Sequence, residues 1–144
     1  EREERVTAPS DLGRALGVTP TYVGKNRFDY LVEVVSEETV RNLKPDLALL
    51  GDIPARGFIV TSLASTQGFD FVSRFFAPRA GINEDPVTGS THCCLGPFWG
   101  TRLKKNEFVA YQASARGGVV RVRVSGDRVV LGGQAVTVLR GELA

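Results

Sequence analysis

Apolar positions along this chain follow two rhythms, one strand-like and one helical. Residues 1–8 are charged and predict a linker or tail. Residues 9–17 predict a short helix, capped by Ser10 or Asp11 and stopped at Gly17, where a residue without Cβ ends a helix at little cost. Residues 28–35 form a nearly continuous apolar run, as in a buried strand. Ser36 then opens a capped helix with Glu37 and Glu38 in its first turn, ending near Leu43-Lys44-Pro45 because Pro disfavours helix in the residue before it. A second short helix is predicted over 46–50. Residues 57–63 and 69–76 read as strands lying side by side. Residues 91–104 read as a helix whose Cys93, Cys94, Leu95, Phe98, Trp99 and Leu103 spread around most of its circumference, so it belongs in a core. Pro97 removes one backbone donor and predicts a bend. The last third is β-rich: 108–112, 118–124, 128–131 and 134–140 alternate or are rich in Val, with a hairpin turn at Ser125-Gly126-Asp127.

The candidate chemistry sits between the strand 69–76 and the helix 91–104, in Glu84-Asp85-Pro86-Val87-Thr88-Gly89-Ser90. Carboxylates, a glycine and hydroxyls at a helix start can hold an anion and handle a proton in one place, because free backbone N–H groups and the helix dipole attract negative charge. Asp85 reads either as a helix N-cap, with Pro86 well suited to the next position, or as an acid–base group. Ser90 reads either as a capping hydroxyl or as a hydrogen-bonding group for a ligand. Thr88 and Gly89 are the candidate backbone donors, and Gly89 lets a ligand approach the main chain closely.

The run Phe76-Ala77-Pro78-Arg79-Ala80-Gly81-Ile82-Asn83, the loop 84–90 and Thr91-His92 resemble the PhzF-like (phenazine biosynthesis) family of isomerases, within the diaminopimelate-epimerase-type fold. Residues 111–118 and 132–141 resemble it too, and the likeness is strongest from about residue 57 to 143. It matches the C-terminal half of a two-domain protein whose active site lies in the cleft between the domains. The resemblance implies an α+β domain over residues 9–144, with a curved, mostly antiparallel sheet wrapped around the central helix 91–104. It implies catalytic roles for Asp85, in proton transfer or substrate orientation, and for Ser90. It also implies substrate binding by Thr88, Gly89 and Ser90. In the family the principal acid–base residue is a glutamate on the N-terminal domain, and no residue here matches its motif. The expected function is therefore one half of an isomerase: cofactor-independent proton transfer at carbon in a small carboxylated substrate, completed by an N-terminal PhzF-like domain in cis or in trans. The chain alone is expected to be inactive. The alternative is a non-catalytic ligand- or protein-binding module using an exposed cleft face, and a homodimer covering that face is a further expectation.

Other features narrow the chemistry. Related epimerases carry Cys-Gly-Thr-Gly at this loop, and no residue from Glu84 to Ser90 is a cysteine, which disfavours a two-thiol epimerase. Cys93 and Cys94 read as core residues. Adjacent to one another and without a third cysteine, they also disfavour an intrachain disulfide and favour a reducing, cytoplasmic setting. His92 is the sole histidine and reads as packed or capping. It lies two residues from Ser90, so the pair does not face one another on a helix. Glu84 is expected to accept backbone hydrogen bonds that fix the loop, and Arg116 to brace a turn. Arg121, Arg123 and Arg128 alternate with Val as a solvated strand face. A net charge of +2 and no aromatic interleaving argue against a nucleic-acid surface. No apolar run approaches the roughly 20 residues of a membrane span. No dinucleotide fingerprint, P-loop or metal cluster is present, so no cofactor or metal is expected. Methionine is absent, position 1 included, which fits a trimmed or processed half-protein.

Overall fold

Period-two alternation in the central strands decides which face each side chain serves. The structure, a computed structural model, describes residues 2–143. Its elements in chain order are β1 (Glu4–Arg5), α1 (Leu12–Leu16), β2 (Tyr22–Lys25), β3 (Asp29–Glu33), α2 (Glu37–Arg41), α3 (Leu47–Asp52), β4 (Gly57–Leu63), β5 (Phe71–Phe76), a single 3-10 turn (Pro78–Ala80), α4 (Gly89–Leu103), β6 (Glu107–Gln112), β7 (Gly118–Ser125) and β8 (Arg128–Gly132). The strands form one open sheet in sequence order. The junctions β3–β4 and β5–β6 are parallel and the others antiparallel. A parallel neighbour needs a crossover, and these are supplied by α2 with α3 and by α4.

The crossovers cover opposite faces of the sheet. Tyr30, Val32, Phe58, Val60, Val72 and Phe76 pack with α1, α2 and α3. The intervening Leu31, Ile59, Phe71 and Phe75 pack with Leu95, Phe98 and Trp99 of α4. This is why β3, β4 and β5 read as continuous apolar runs rather than alternating ones. The expected α+β architecture, with a mostly antiparallel sheet around one buried helix, is what forms.

Several local expectations change. The predicted tail contains β1, whose Glu4 and Arg5 pair with Lys25 and Gly24 of β2. Strand β2 is too short for its pattern to announce itself. Neither Ser10 nor Asp11 caps α1 with its side chain; the Asp11 carboxylate accepts from Arg14 instead, at 2.7 Å. Helix α2 ends at Arg41, earlier than predicted, and α4 begins at Gly89, two residues before the predicted start. The predicted strand 134–140 does not form: residues 133–143 carry no regular structure, and Val136 and Val138 are 87% and 94% exposed. An alternating segment becomes a strand only where a neighbour offers hydrogen bonds and a surface to cover, and none adjoins this one among the described residues. The predicted hairpin at Ser125–Asp127 does form, with Ser125 opposite Arg128 and Gly126 at φ 60°, the positive φ that suits such a turn to Gly.

Glu37 does more than favour the start of α2. Its buried carboxylate accepts from the backbone N–H groups of Ser65 (2.6 Å) and Thr66 (2.8 Å), from both their hydroxyls, and from Arg41 Nε. It thereby pins the β4–β5 connection to α2. Burial alone would raise its pKa, but the bonds from Thr66, Arg41 and Ser65 outweigh burial and bring it from 4.5 down to about 2. A depressed carboxylate contributes stability that is complete above the unfolded-state value and is lost as pH falls through the folded one. We therefore expect stability to drop by on the order of 3 kcal/mol between about pH 4.5 and 2. Glu37→Gln should remove most of that acid-side slope and lower stability at neutral pH. Urea unfolding followed by circular dichroism across this pH range checks both, and an unchanged slope would refute the assignment.

Candidate functional site at the start of α4

The loop joining β5 to α4 is folded by its own polar groups. Ala77 and Ile82 exchange backbone hydrogen bonds, and the turn between them passes through Gly81 at φ 79°. Asp85 N–H then returns to β5 by donating to the Phe75 carbonyl at 3.0 Å. Glu84 accepts Arg74 Nε at 2.7 Å and Nη2 at 2.9 Å. It therefore fixes the loop through an ion pair rather than through the backbone bonds expected of it, because the half-buried Arg74 fork lies within reach and matches a carboxylate bidentately. Arg74 Nη1 also donates to the carbonyls of Val40, Arg41 and Leu43, tying the loop to the end of α2.

Asp85 and Ser90 do not cap the helix. The N-cap position belongs to Thr88, and even its side chain makes no capping bond. Gln112, fully buried at the end of β6, explains this. Its Oε1 accepts from Thr88 N–H at 2.8 Å, and its Nε2 donates to the Asp85 carbonyl at 2.7 Å and to Thr88 Oγ1 at 3.1 Å. Since Thr88 Oγ1 accepts from the amide, its own proton goes to Asp85 Oδ2, 2.5 Å away. The cap hydroxyl is thus spent on a catalytic candidate. The first N–H groups of α4 have no partner within the helix, and Gly89 and Ser90, which carry two of them, are both exposed. Asp85 Oδ1 has no partner among the described residues, so that oxygen is open to a ligand.

A second brace comes from the turn after β6. Ser114 Oγ donates to the Pro86 carbonyl at 2.8 Å and accepts from Gly117 N–H at 3.0 Å. Gly118 lies so close to the loop that a Cβ there would meet Val87 Cγ2 at 2.3 Å. The bracing expected of Arg116 is done by Ser114, and the Arg116 side chain is exposed. It lines, with Val87, Gly89, Gly118 and Leu131, a cavity of about 620 Å³ beside the start of α4.

The remaining candidates separate from the site. His92 is fully buried with Nδ1 2.8 Å from the Thr88 carbonyl. A carbonyl only accepts, so Nδ1 carries the proton. Burial lowers the imidazole pKa, opposed by the bond to Thr88, and the ring is neutral. Cys94 is buried, and desolvation pushes its thiol up to about 11. Cys93 is half-buried, short of the full core position expected, because its side of α4 lines an open cavity shared with Arg2 and with Val124, Gly126 and Val129 of the β7–β8 hairpin. Arg121, Arg123 and Arg128 are exposed as a solvated strand face.

Two groups at the site had no local announcement. Gln112 shares its parity with Phe108 and Ala110, both buried in the α4 core. A polar residue at an inward position is the signal that could have found it. Arg56 had none: its Nη2 meets Ser90 Oγ at 3.2 Å across 34 residues of chain.

Comparison with known proteins adds the family. Residues 9–141 match the model of the family described as phenazine biosynthesis-like protein. An isomerase of Halalkalibacterium halodurans, itself uncharacterised, is 57% identical over 135 residues, which cover 94% of this chain and 51% of that protein. A human phenazine biosynthesis-like domain-containing protein is 39% identical over 122 residues, covering 78% of this chain and 42% of that one. Among solved structures, a PhzF-family phenazine biosynthesis protein of Enterococcus faecalis superposes with a TM-score of 0.87 at 39% identity, over 92% of this chain and 50% of that one. A putative PhzC/PhzF protein of Clostridium difficile gives 0.86 at 34% identity, over the whole of this chain and 55% of that one. The chain thus spans about half the length of the curated relatives it matches best among these, 51% for the bacterial isomerase. Among the described residues no helix is long and apolar enough to cross a membrane.

Proposed function

This chain belongs to the phenazine biosynthesis-like protein family, and we propose that it forms one wall of an isomerase active site that moves a proton at carbon in a small carboxylated substrate. The observation that carries this reading is the Gln112–Thr88–Asp85 relay. It holds one carboxylate oxygen of Asp85 and leaves the other without a partner among the described residues, in the loop that leads into the exposed helix start at Gly89 and Ser90. Removing a C–H proton next to a carboxylate builds negative charge on the substrate. The N–H groups at Gly89 and Ser90 and the dipole of α4 stabilise that charge without reorganising, because the fold fixes them beforehand. Asp85 Oδ1 then accepts or returns a proton, or orients the substrate. Thr88, Gly89 and Ser90 bind its anionic group. No cofactor enters this scheme.

The opposite wall is a separate N-terminal PhzF-like domain, in cis or in trans, carrying the principal acid–base glutamate. The half-length coverage of the relatives supports this division. A binding role without catalysis is the second reading. It draws on the exposed apolar side chains of Val136, Val138 and Leu139, which suit a contact with another domain or chain.

The test is deuterium uptake from D2O at carbon in a panel of small carboxylates, followed by proton NMR. This chain alone should catalyse none above background, and a polypeptide carrying both halves should. Exchange by the isolated chain at the rate of the longer protein would rule out the shared site.

A further inference from the structure

Arg56, just before β4, reaches Ser90 Oγ, and part of its donor set has no partner among the described residues. Asp29 opens β3 and pairs in register with Gly57 of β4, which sets Asp29 beside Arg56. Arg56 Nε donates to Asp29 Oδ1 at 2.9 Å and Nη2 donates to Oδ2. Asp29 is 1% exposed, so its charge is held in the interior by this one fork. The Phe28 ring lies 5.0 Å from the guanidinium and restrains it further. The arginine is therefore fixed in position before any ligand arrives.

A guanidinium carries five N–H donors. Asp29 takes one from Nε and one from Nη2, and Ser90 Oγ takes the other from Nη2. Both donors on Nη1 have no acceptor among the described residues. Ser90 accepts from Arg56, so its own proton is directed elsewhere and remains available to donate. Three donors are thus left around the contact between Arg56 and Ser90, in the same loop-to-helix segment as Asp85. Arg56 also lines, together with the exposed Arg79, a cavity of about 400 Å³.

We propose that Arg56, clamped by Asp29, binds a carboxylate group of the ligand through Nη1 while presenting the Ser90 hydroxyl to it as a donor, with Arg79 supplying a second positive charge at the rim. The proposal rests on reading the Asp85–Ser90 loop as a carboxylate-binding site, and it names the cation that reading lacks. A planar fork matches a carboxylate better than a point charge does, and fixing the arginine beforehand removes the cost of ordering it on binding.

The test titrates the isotopically labelled chain with sodium benzoate against sodium chloride at equal ionic strength, following the Ser90 amide and Arg56 Nε by NMR. Saturable shifts at both are expected. Arg56→Lys keeps a cation beside Asp29 but loses the fork, and it should weaken benzoate binding about tenfold, the loss of one charge-assisted bond. Arg128→Gln, on the β7–β8 hairpin, should bind as the parent does. If Arg56→Lys does not fold, the double variant Asp29→Asn with Arg56→Gln removes both charges together and should show the same loss. Absence of saturable shifts, equal binding by the Arg56 variant and the parent, or equal losses from the Arg56 and Arg128 variants would overturn the proposal. Inorganic phosphate binding as tightly as benzoate would overturn the carboxylate assignment. Benzoate binding that depends on Arg56, with catalysis indifferent to Asp85, would leave this inference standing and sink the reading of Asp85. The reverse pattern would do the opposite.

Discussion

Asp85→Asn in a polypeptide carrying both halves is expected to lower the rate of proton exchange at carbon by about 10²–10⁴-fold, the usual contribution of a positioned acid–base group. The amide is nearly isosteric with the carboxylate. Its oxygen still accepts the Thr88 hydroxyl, which now sits 2.5 Å from Asp85 Oδ2, and the Asp85 backbone keeps its bonds to Phe75 and Gln112. The loop should therefore hold its shape and the thermal midpoint should barely move. An amide neither takes up nor releases a proton at neutral pH, so the loss should fall on turnover rather than on folding. Exchange rates read alongside thermal unfolding by circular dichroism separate the two. An Asp85→Asn enzyme that exchanges at the parent rate would remove Asp85 from the chemistry. One that unfolds early would make it a structural brace.

Trp99→Ala is expected to cost about 3–5 kcal/mol of stability, the range for truncating a large buried aromatic. Trp99 sits under the sheet with 2% of its surface exposed. It stacks on Phe71 at 6.0 Å and meets Phe98 edge-on at 5.1 Å. Its indole N–H donates to Thr61 Oγ1 at 3.1 Å, and the Thr61 hydroxyl in turn donates to the Val72 carbonyl. Truncation opens a cavity between α4 and strands β4 and β5 and takes away the donor to Thr61. Trp99→Phe keeps most of the volume and loses the N–H, and should cost about 1–2 kcal/mol. The chain has one tryptophan, so the variants lose its fluorescence, and denaturant midpoints are best read by far-ultraviolet circular dichroism. A loss below about 1 kcal/mol for the alanine variant would mean that α4 is not the central packing element.

Elements with a strong internal period were legible from the chain alone. Strands 57–63 and 69–76, the apolar helix and the Gly126 turn carry their signals in adjacent residues. The motif Glu84–Ser90 announced its place before a helix and its acid, hydroxyl and glycine chemistry. The resemblance carried by these residues supplied the family and the wrapping of sheet around helix. Local order set these features because hydrophobic periodicity and turn chemistry act over a few residues.

Other features depended on partners far along the chain. Whether 134–140 would be a strand turned on a neighbouring edge, which none of the described residues offers there, and β1 formed because β2 offers one. Asp85 looked equally like a cap and an acid until Thr88 took the cap position and Gln112, 24 residues beyond Thr88, turned the Thr88 hydroxyl towards the carboxylate. Glu37 looked like a favourable first-turn charge until the Ser65–Thr66 backbone came to it across 28 residues. Arg56 gained its meaning only where β3 and β4 run parallel and α4 begins beside them. The sequence determined the elements, the motif and the kind of chemistry. The tertiary structure decided which lone pair meets which proton, because hydrogen bonds at a site are made within about 3 Å by groups that only the folded sheet brings together.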